Sequence, residues 1–191
     1  MIYETIVTTL NADDSAQIAP MGLRKVDDLY LIAPFKPSTT LDNLQRSGVA
    51  VINLTDDVRV YAGCLTGRYD WPLKPAEQVA GRYLESALTH LELRVERIGD
   101  DELRPKFYCR LEHEGVHGPF RGFNRAQVAV LEAAILASRL DRLPREKIVA
   151  ELEYLQIAVD KTAGQREQQA WDWLLERINT HLQQTDVEAG A

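Results

Sequence analysis

Two runs of alternating residues, 91–96 and 107–112, constrain the fold of this chain more than any other feature. In the first, Leu91, Leu93 and Val95 alternate with Glu92, Arg94 and Glu96. In the second, Phe107, Cys109 and Leu111 alternate with Tyr108, Arg110 and Glu112. Successive side chains of a strand point to opposite faces, so each run carries one apolar and one polar face. The turn residues Gly99-Asp100-Asp101 join them, which predicts an antiparallel hairpin with one wet face.

The preceding residues extend this β pattern. Residues 2–10 hold the β-branched run Ile6-Val7-Thr8-Thr9, and turn chemistry at 11–15 leads into a second strand over 17–22. Asp27-Asp28 turns into a strand at 29–32. Leu41 and Leu44, three apart, fit a short helix from Thr39 or Thr40 to Ser47 that Gly48 ends. The continuous apolar run 49–54 reads as a buried central strand, and 58–65 as a strand returning after the Thr55-Asp56-Asp57 turn. Pro75 opens a helix to about Leu88, with Val79, Tyr83, Ala87 and Leu88 on one face. Six to eight short antiparallel strands suggest a barrel.

From Asn124, an N-cap candidate, the period becomes helical. Val128, Leu131, Ile135 and Ser138 mark one helix; Ile148, Leu152, Leu155 and Val159 a second after Pro144; Trp171, Leu174, Leu175, Ile178 and Leu182 a third after Gly164. The reading is an α+β chain, mainly β with α: a barrel over 1–122, a three-helix segment over 123–184 and a disordered tail over 185–191. The helices must cover their apolar faces on each other, on the barrel or on a second subunit.

Charge and composition remove several function classes. With 22 basic against 29 acidic side chains the formal charge is −7, which argues against nucleic acid as a partner. No apolar run reaches the ~18–20 residues of a membrane helix. The start Met-Ile-Tyr-Glu has no basic region followed by an apolar one, so a cytoplasmic protein is expected. Cys64 and Cys109 form no C-x-x-C pattern and are expected as two buried, reduced thiols.

The candidate site residues cluster early. Lys36, Ser38, Thr39, Thr40 and Asn43 gather a cation, three hydroxyls and an amide around a helix start. That set suits a phosphate, because the first N–H groups of a helix and its dipole attract anions. It equally suits an ordinary loop with a Ser or Thr N-cap. His113-Glu114-Gly115-Val116-His117 spells H-E-x-x-H, a zinc motif that requires a helix. A strand pattern precedes it, glycines interrupt it and Pro119 follows, so a strand end or turn is expected and no metal. Asp56 and Asp57 read as a turn or a carboxylate pair. Cys64 has no visible base to activate it, and no side chain stands out as catalytic. Asn124 and Arg125, with Arg121 behind them, read as a cap and surface charge or as contacts to a phosphate.

The ordered motifs I-A-P-M-G, P-F-K-P-S-T-T-L-D-N-L and V-I-N-L-T-D-D-V, followed by G-F-N-R-A-Q-V-A-V-L-E-A-A-I, resemble the FMN-binding split β-barrels. Within that superfamily the chain is most similar to an uncharacterised archaeal and bacterial family. The resemblance implies an antiparallel split β-barrel, FMN as cofactor and a homodimer with FMN at or near the subunit interface. It implies that Ala19, Pro20, Met21 and Gly22 run along the flavin ring and that Lys36, Ser38, Thr39, Thr40 and Asn43 hold the phosphate. Asn53 would reach the ribityl chain or ring, and Asn124 and Arg125 would reach the cofactor from the second subunit. Related chains are expected to carry an arginine near Thr39; here Lys36 is left as the main charge. Tyr30, Phe35, Tyr61 and Trp71 are candidates to stack on the ring, with core packing the ordinary alternative. The activity implied is that of a flavin reductase-like oxidoreductase of unknown substrate, with a nicotinamide or deazaflavin electron donor. The alternatives are a non-catalytic FMN module (carrier, sensor or electron relay) and a dimeric interaction scaffold.

Overall fold

The computed structural model describes the backbone of residues 1–189 and the side chains of residues 1–185. Two compact units emerge: residues 1–56 with 70–120, and residues 57–69 with 121 onward. Residues 57–69 thus fall with the helical unit.

In the first unit, β1 (Ile2–Leu10), β2 (Ala16–Val26), β3 (Leu29–Ile32), β4 (Val49–Leu54), β5 (Leu73–Pro75), β6 (Arg82–Leu84), β7 (Thr89–Gly99) and β8 (Lys106–Val116) follow in chain order, with helix α1 (Thr39–Ser47) between β3 and β4. Six of the strands close a barrel in the order β1-β2-β3-β8-β7-β4, antiparallel throughout. Its inside is the apolar set that the alternation implies: Val7, Leu23, Ile32, Ile52, Leu91, Leu93, Phe107 and Cys109. α1 lays Leu41 and Leu44 into this core and ends at Gly48, whose φ of 65° favours glycine.

The segment expected as a helix from Pro75 is instead the β5–β6 hairpin. Its four-residue spacing of Val79, Tyr83 and Ala87 mimics a helical face, yet Val79 packs on Val49 and Val51, on the outside of β4. This flap changes the polar face of β7 as well. His90 and Glu92 should be wet by alternation; both are fully buried. Glu92 receives the backbone N–H groups of Glu77 and Gln78 at 2.6 Å and of Val79 at 2.9 Å. Burial works to raise its pKa, but those donors together with His90 outweigh it and hold the carboxyl below its ordinary range.

The second unit comprises α2 (Arg59–Leu65), α3 (Arg125–Ala137), α4 (Arg145–Thr162) and α5 (Gln165–Ala189), with a 3-10 turn at Leu140–Arg142. α3 packs on α4, and α2 and α3 on α5. The strand expected over 58–65 is therefore the helix α2. On α3 the buried face is alanine-rich (Ala126, Ala129, Val130, Ala133, Ala134, Ala137), whereas Val128 is half exposed. Small side chains let helices approach closely, so the larger residues named from the sequence flank the contact. Ile148, Leu155, Val159, Trp171, Leu174, Ile178 and Leu182 are buried. The tail expected from Thr185 overlaps α5, which continues to Ala189; residues 190–191 lie outside the described residues. Among the described residues no helix is long and apolar enough to cross a membrane.

Candidate functional site

The barrel has a seam where β2 outruns its neighbour. β2 pairs with β1 from Ala16 to Arg24 but with β3 only at Arg24, Lys25 and Val26. Continuing that register would set Ala33 opposite Gly22. Instead β3 ends at Ile32 and the chain leaves the sheet. Ala19, Pro20, Met21 and Gly22 therefore have β1 on one side and no strand on the other among the described residues. Proline is tolerated at such an edge, since it has no N–H to give to a ladder. The space a side chain at Gly22 would take is filled by Ile2, whose methyl would lie 2.8 Å from an added Cβ.

The departing loop is held by the β7–β8 turn. The Lys36 amide donates to the Leu103 carbonyl at 2.9 Å, and the Arg104 guanidinium donates to the Ala33 carbonyl at 2.9 and 3.0 Å. Arg104 also lies 4.3 Å from the centre of the exposed Phe35 ring. Asp101 braces this turn by accepting from the amides of Leu103 and Arg104. Those two N–H groups, Arg104 first, with Lys106 nearby, hold the Asp101 carboxyl below its ordinary range. The sequence reading missed Arg104, because seventy residues separate it from the loop it pins.

The loop opens α1 as expected. Ser38 is the N-cap, its hydroxyl accepting from the Leu41 amide at 3.3 Å. The amides of Thr39 and Thr40 belong to the first turn, where a helix supplies no carbonyl partner. Lys36 and Thr39 are exposed, Ser38 is half-buried and Thr40 is buried. The exposed cation, the capping hydroxyl and the first-turn amides thus share one short segment.

The other candidates have different surroundings. Asn43 is buried and tied to β1, its amide donating to Thr9 at 3.0 Å and Asn11 at 2.8 Å. Asn53 is fully buried: its amide donates to the Ile6 carbonyl at 3.0 Å, and its oxygen accepts from the Leu84 amide at 2.7 Å. Asn124 caps α3 by accepting from the amides of Ala126 and Gln127 and donates to the Thr162 carbonyl; Arg125 beside it is exposed. Both belong to the helical unit. Of the candidate stacking aromatics, Tyr30 packs against the barrel core, and Tyr61 is buried in the helical unit. Asp57 is buried and paired with Arg59 at 2.6 Å. Of the two thiols expected to be buried, Cys109 is buried and Cys64 only half-buried. A cleft of about 510 Å³ in the helical unit, lined among others by Arg68, Trp173 and His181, contains none of the candidate residues.

Comparison with solved structures gives the same architecture. The FMN-bound protein MM1853 of Methanosarcina mazei superposes with a TM-score of 0.79 at 18% identity, over 92% of this chain and 94% of that one. The NADH:FAD oxidoreductase SgcE6 of Streptomyces globisporus, in complex with NAD and FAD fragments, matches at a TM-score of 0.53 and 16% identity, over 63% and 84%. BorF, the flavin reductase component of a bacterial two-component tryptophan halogenase, matches at 0.51 and 18%, over 62% and 82%. These likenesses establish the split-barrel fold of flavin reductase-like proteins, with the helical part shared by the Methanosarcina protein. No curated protein matches the chain. Residues 3–118 match the N-terminal domain of the "Protein of unknown function (DUF447)" family, and residues 124–176 match the domain described as "Protein of unknown function (DUF447)". The chain belongs to the DUF447 family.

Proposed function

We propose that the chain is an FMN-binding flavoprotein with a redox role of the flavin reductase-like type, acting as a homodimer. One observation carries this reading: an unpaired strand edge lies where the chain leaves the sheet towards the first turn of a capped helix. FMN makes two demands that these residues fit. Its ring presents a flat edge of donors and acceptors, which suits the outward backbone groups of Gly22 and the Pro20 carbonyl; the groups of Ala19 and Met21 alternate towards β1, where the Met21 carbonyl accepts from the Thr5 hydroxyl at 2.8 Å. Its phosphate is an anion, which suits the Thr39 and Thr40 amides, the Ser38 and Thr39 hydroxyls and the Lys36 ammonium. Arg104 supplies a second cation on the same loop framework. Asn43 and Asn53, committed to β1, act by holding α1 and β4 in place. Arg125, exposed at the start of α3, is the proposed contact from the second subunit, with Asn124 capping the helix that presents it. The half-exposed Ile2 and Tyr3 on β1, opposite Arg24 and Leu23, favour a subunit contact beside this part of β2.

The FMN-bound Methanosarcina protein, matched over nearly its whole length, supports the choice of cofactor. When bound, the flavin supplies hydride and electron transfer, and the protein orients it and limits access. An electron donor of the nicotinamide or deazaflavin class is part of the proposal. The named ring-edge residues bring no titratable side chain, so the same site serves equally for binding without turnover, as in a carrier or relay. Anaerobic addition of NADH, NADPH or a reduced deazaflavin separates the two: bleaching of the flavin supports the reductase, and persistent colour the non-catalytic module.

The phosphate assignment is tested by Lys36→Ala. Charge-assisted contacts contribute roughly 1.5–3 kcal/mol, and exposure reduces this, so FMN affinity is expected to fall by several-fold to ~100-fold. Fluorescence titration reads the change, and equal affinity in variant and parent removes Lys36 from the site.

A further inference from the structure

The outer face of β7 and β8 gathers histidines and carboxylates under the β5–β6 flap. His90 and Glu92 come from β7 by the period of two. His113 reaches them through a bulge. Phe107 and Cys109 face the core, so strict alternation would turn His113 inward too. The register instead pairs Leu111 with Leu93 and His113 with Glu92, leaving Glu112 as the extra residue. A bulge re-aims the side chains that follow it, and directly opposed residues share a face. His113 is therefore turned onto the face that carries Glu92.

The local packing leaves these groups poised around one point. The His90 Nε2 atom is 3.1 Å from Glu92 Oε1, and its Nδ1 is 2.8 Å from His117 Nε2. The Tyr83 ring stacks on His90 at 4.1 Å and on His117 at 4.8 Å, fixing both planes. Gly115, opposite His90, is obligatory: an added Cβ would come within 2.3 Å of the imidazole. His113 Nε2 is shut off from water and makes no hydrogen bond; Glu77 Oε1 lies 3.4 Å from it. One ligand atom from each of His90, Glu92 and His113 falls within 4.8 Å of the others.

We propose that His90, Glu92 and His113 form a binding site for a divalent transition-metal ion. Two imidazole nitrogens with a carboxylate oxygen suit zinc, iron, manganese or cobalt and not calcium or magnesium, which take oxygen ligands. In a tetrahedral site with bonds of ~2.0–2.2 Å, ligand atoms lie ~3.4 Å apart. The observed separations need a side-chain adjustment to reach that, and His113, whose side chain is 28% exposed, has room to make it. With metal on Nε2, His90 donates from Nδ1 to His117. The three backbone N–H groups on Glu92 fix the carboxylate, a common arrangement behind metal ligands. Glu77 stands beside His113 as a candidate fourth ligand. The site differs from the H-E-x-x-H reading: it keeps His113, excludes Glu114, places His117 behind His90, and takes two ligands from the neighbouring strand.

The test is independent of the flavin reading. The full chain without a histidine tag, its flavin content recorded, is stripped with EDTA and titrated with Zn²⁺ by calorimetry and with Co²⁺ by visible absorption. One saturable site per chain is expected, weakened at least tenfold in His113→Ala and unchanged in His181→Ala, which alters a histidine of the helical unit. A second measurement needs no variant: Co²⁺ should give paramagnetically shifted imidazole N–H signals from two histidines. A parent chain without saturable uptake, undiminished binding in His113→Ala, or shifted signals from fewer than two histidines each overturns the proposal.

Discussion

The two thiols show how far burial alone controls a residue. Cys109 lies inside the barrel among Leu93, Ile32 and Phe107, and burial pushes its pKa up to about 12. Cys64, on α2, is pushed to about 12 by the same cause. A raised pKa means that the folded chain keeps a proton which the unfolded chain releases above the ordinary thiol value of about 9. The stabilising contribution is thus fully present below pH 9 and is lost as pH climbs towards about 12. Urea unfolding between pH 8 and 11 should show stability falling in this window, with a shallower slope in Cys109→Ala; identical slopes would contradict this. Both thiols should resist alkylation at neutral pH, because little thiolate forms.

At the scale of elements, the sequence was legible where an element carries its own signal. The β7–β8 alternation, the Gly48 stop and the Ser38 and Asn124 caps are local, and each is found where the residues imply it. The failures have different causes. Val58 to Leu65 reads as a strand returning after a turn, yet it is α2, at whose start Asp57 accepts the Arg59 amide at 3.2 Å and its guanidinium at 2.6 and 2.8 Å. Arg166 of α5 approaches the same carboxylate at 4.0 Å. Asp57→Ala should therefore cost about 1–3 kcal/mol and reduce helical content, as the half-buried Arg59 loses its partner. Denaturant melts followed by far-UV circular dichroism check this; unchanged stability would show that α2 is held by packing alone. β5 and β6 are three residues each and too short to show a period, so no sequence pattern could reveal the flap that buries His90 and Glu92. The β2 edge was legible as a motif, but its opening depends on where β3 stops.

For the whole molecule, the fold was readable as a barrel followed by helices, and the division into units follows contacts that the order of residues hides. The helical unit recruits 57–69 from the middle of the chain. The phosphate loop was visible because its residues are contiguous; Arg104 and the His90–His113 face were not, because strand pairing assembles them. The central claim is that the β2 edge and the α1 start hold FMN. Its most direct measurement is the absorbance spectrum of the freshly purified chain, followed by mass identification of what denaturation releases and titration with added FMN. A yellow protein releasing FMN, or a colourless one that binds added FMN at one site per chain, is expected. Folded, colourless protein that does not bind added FMN would contradict it.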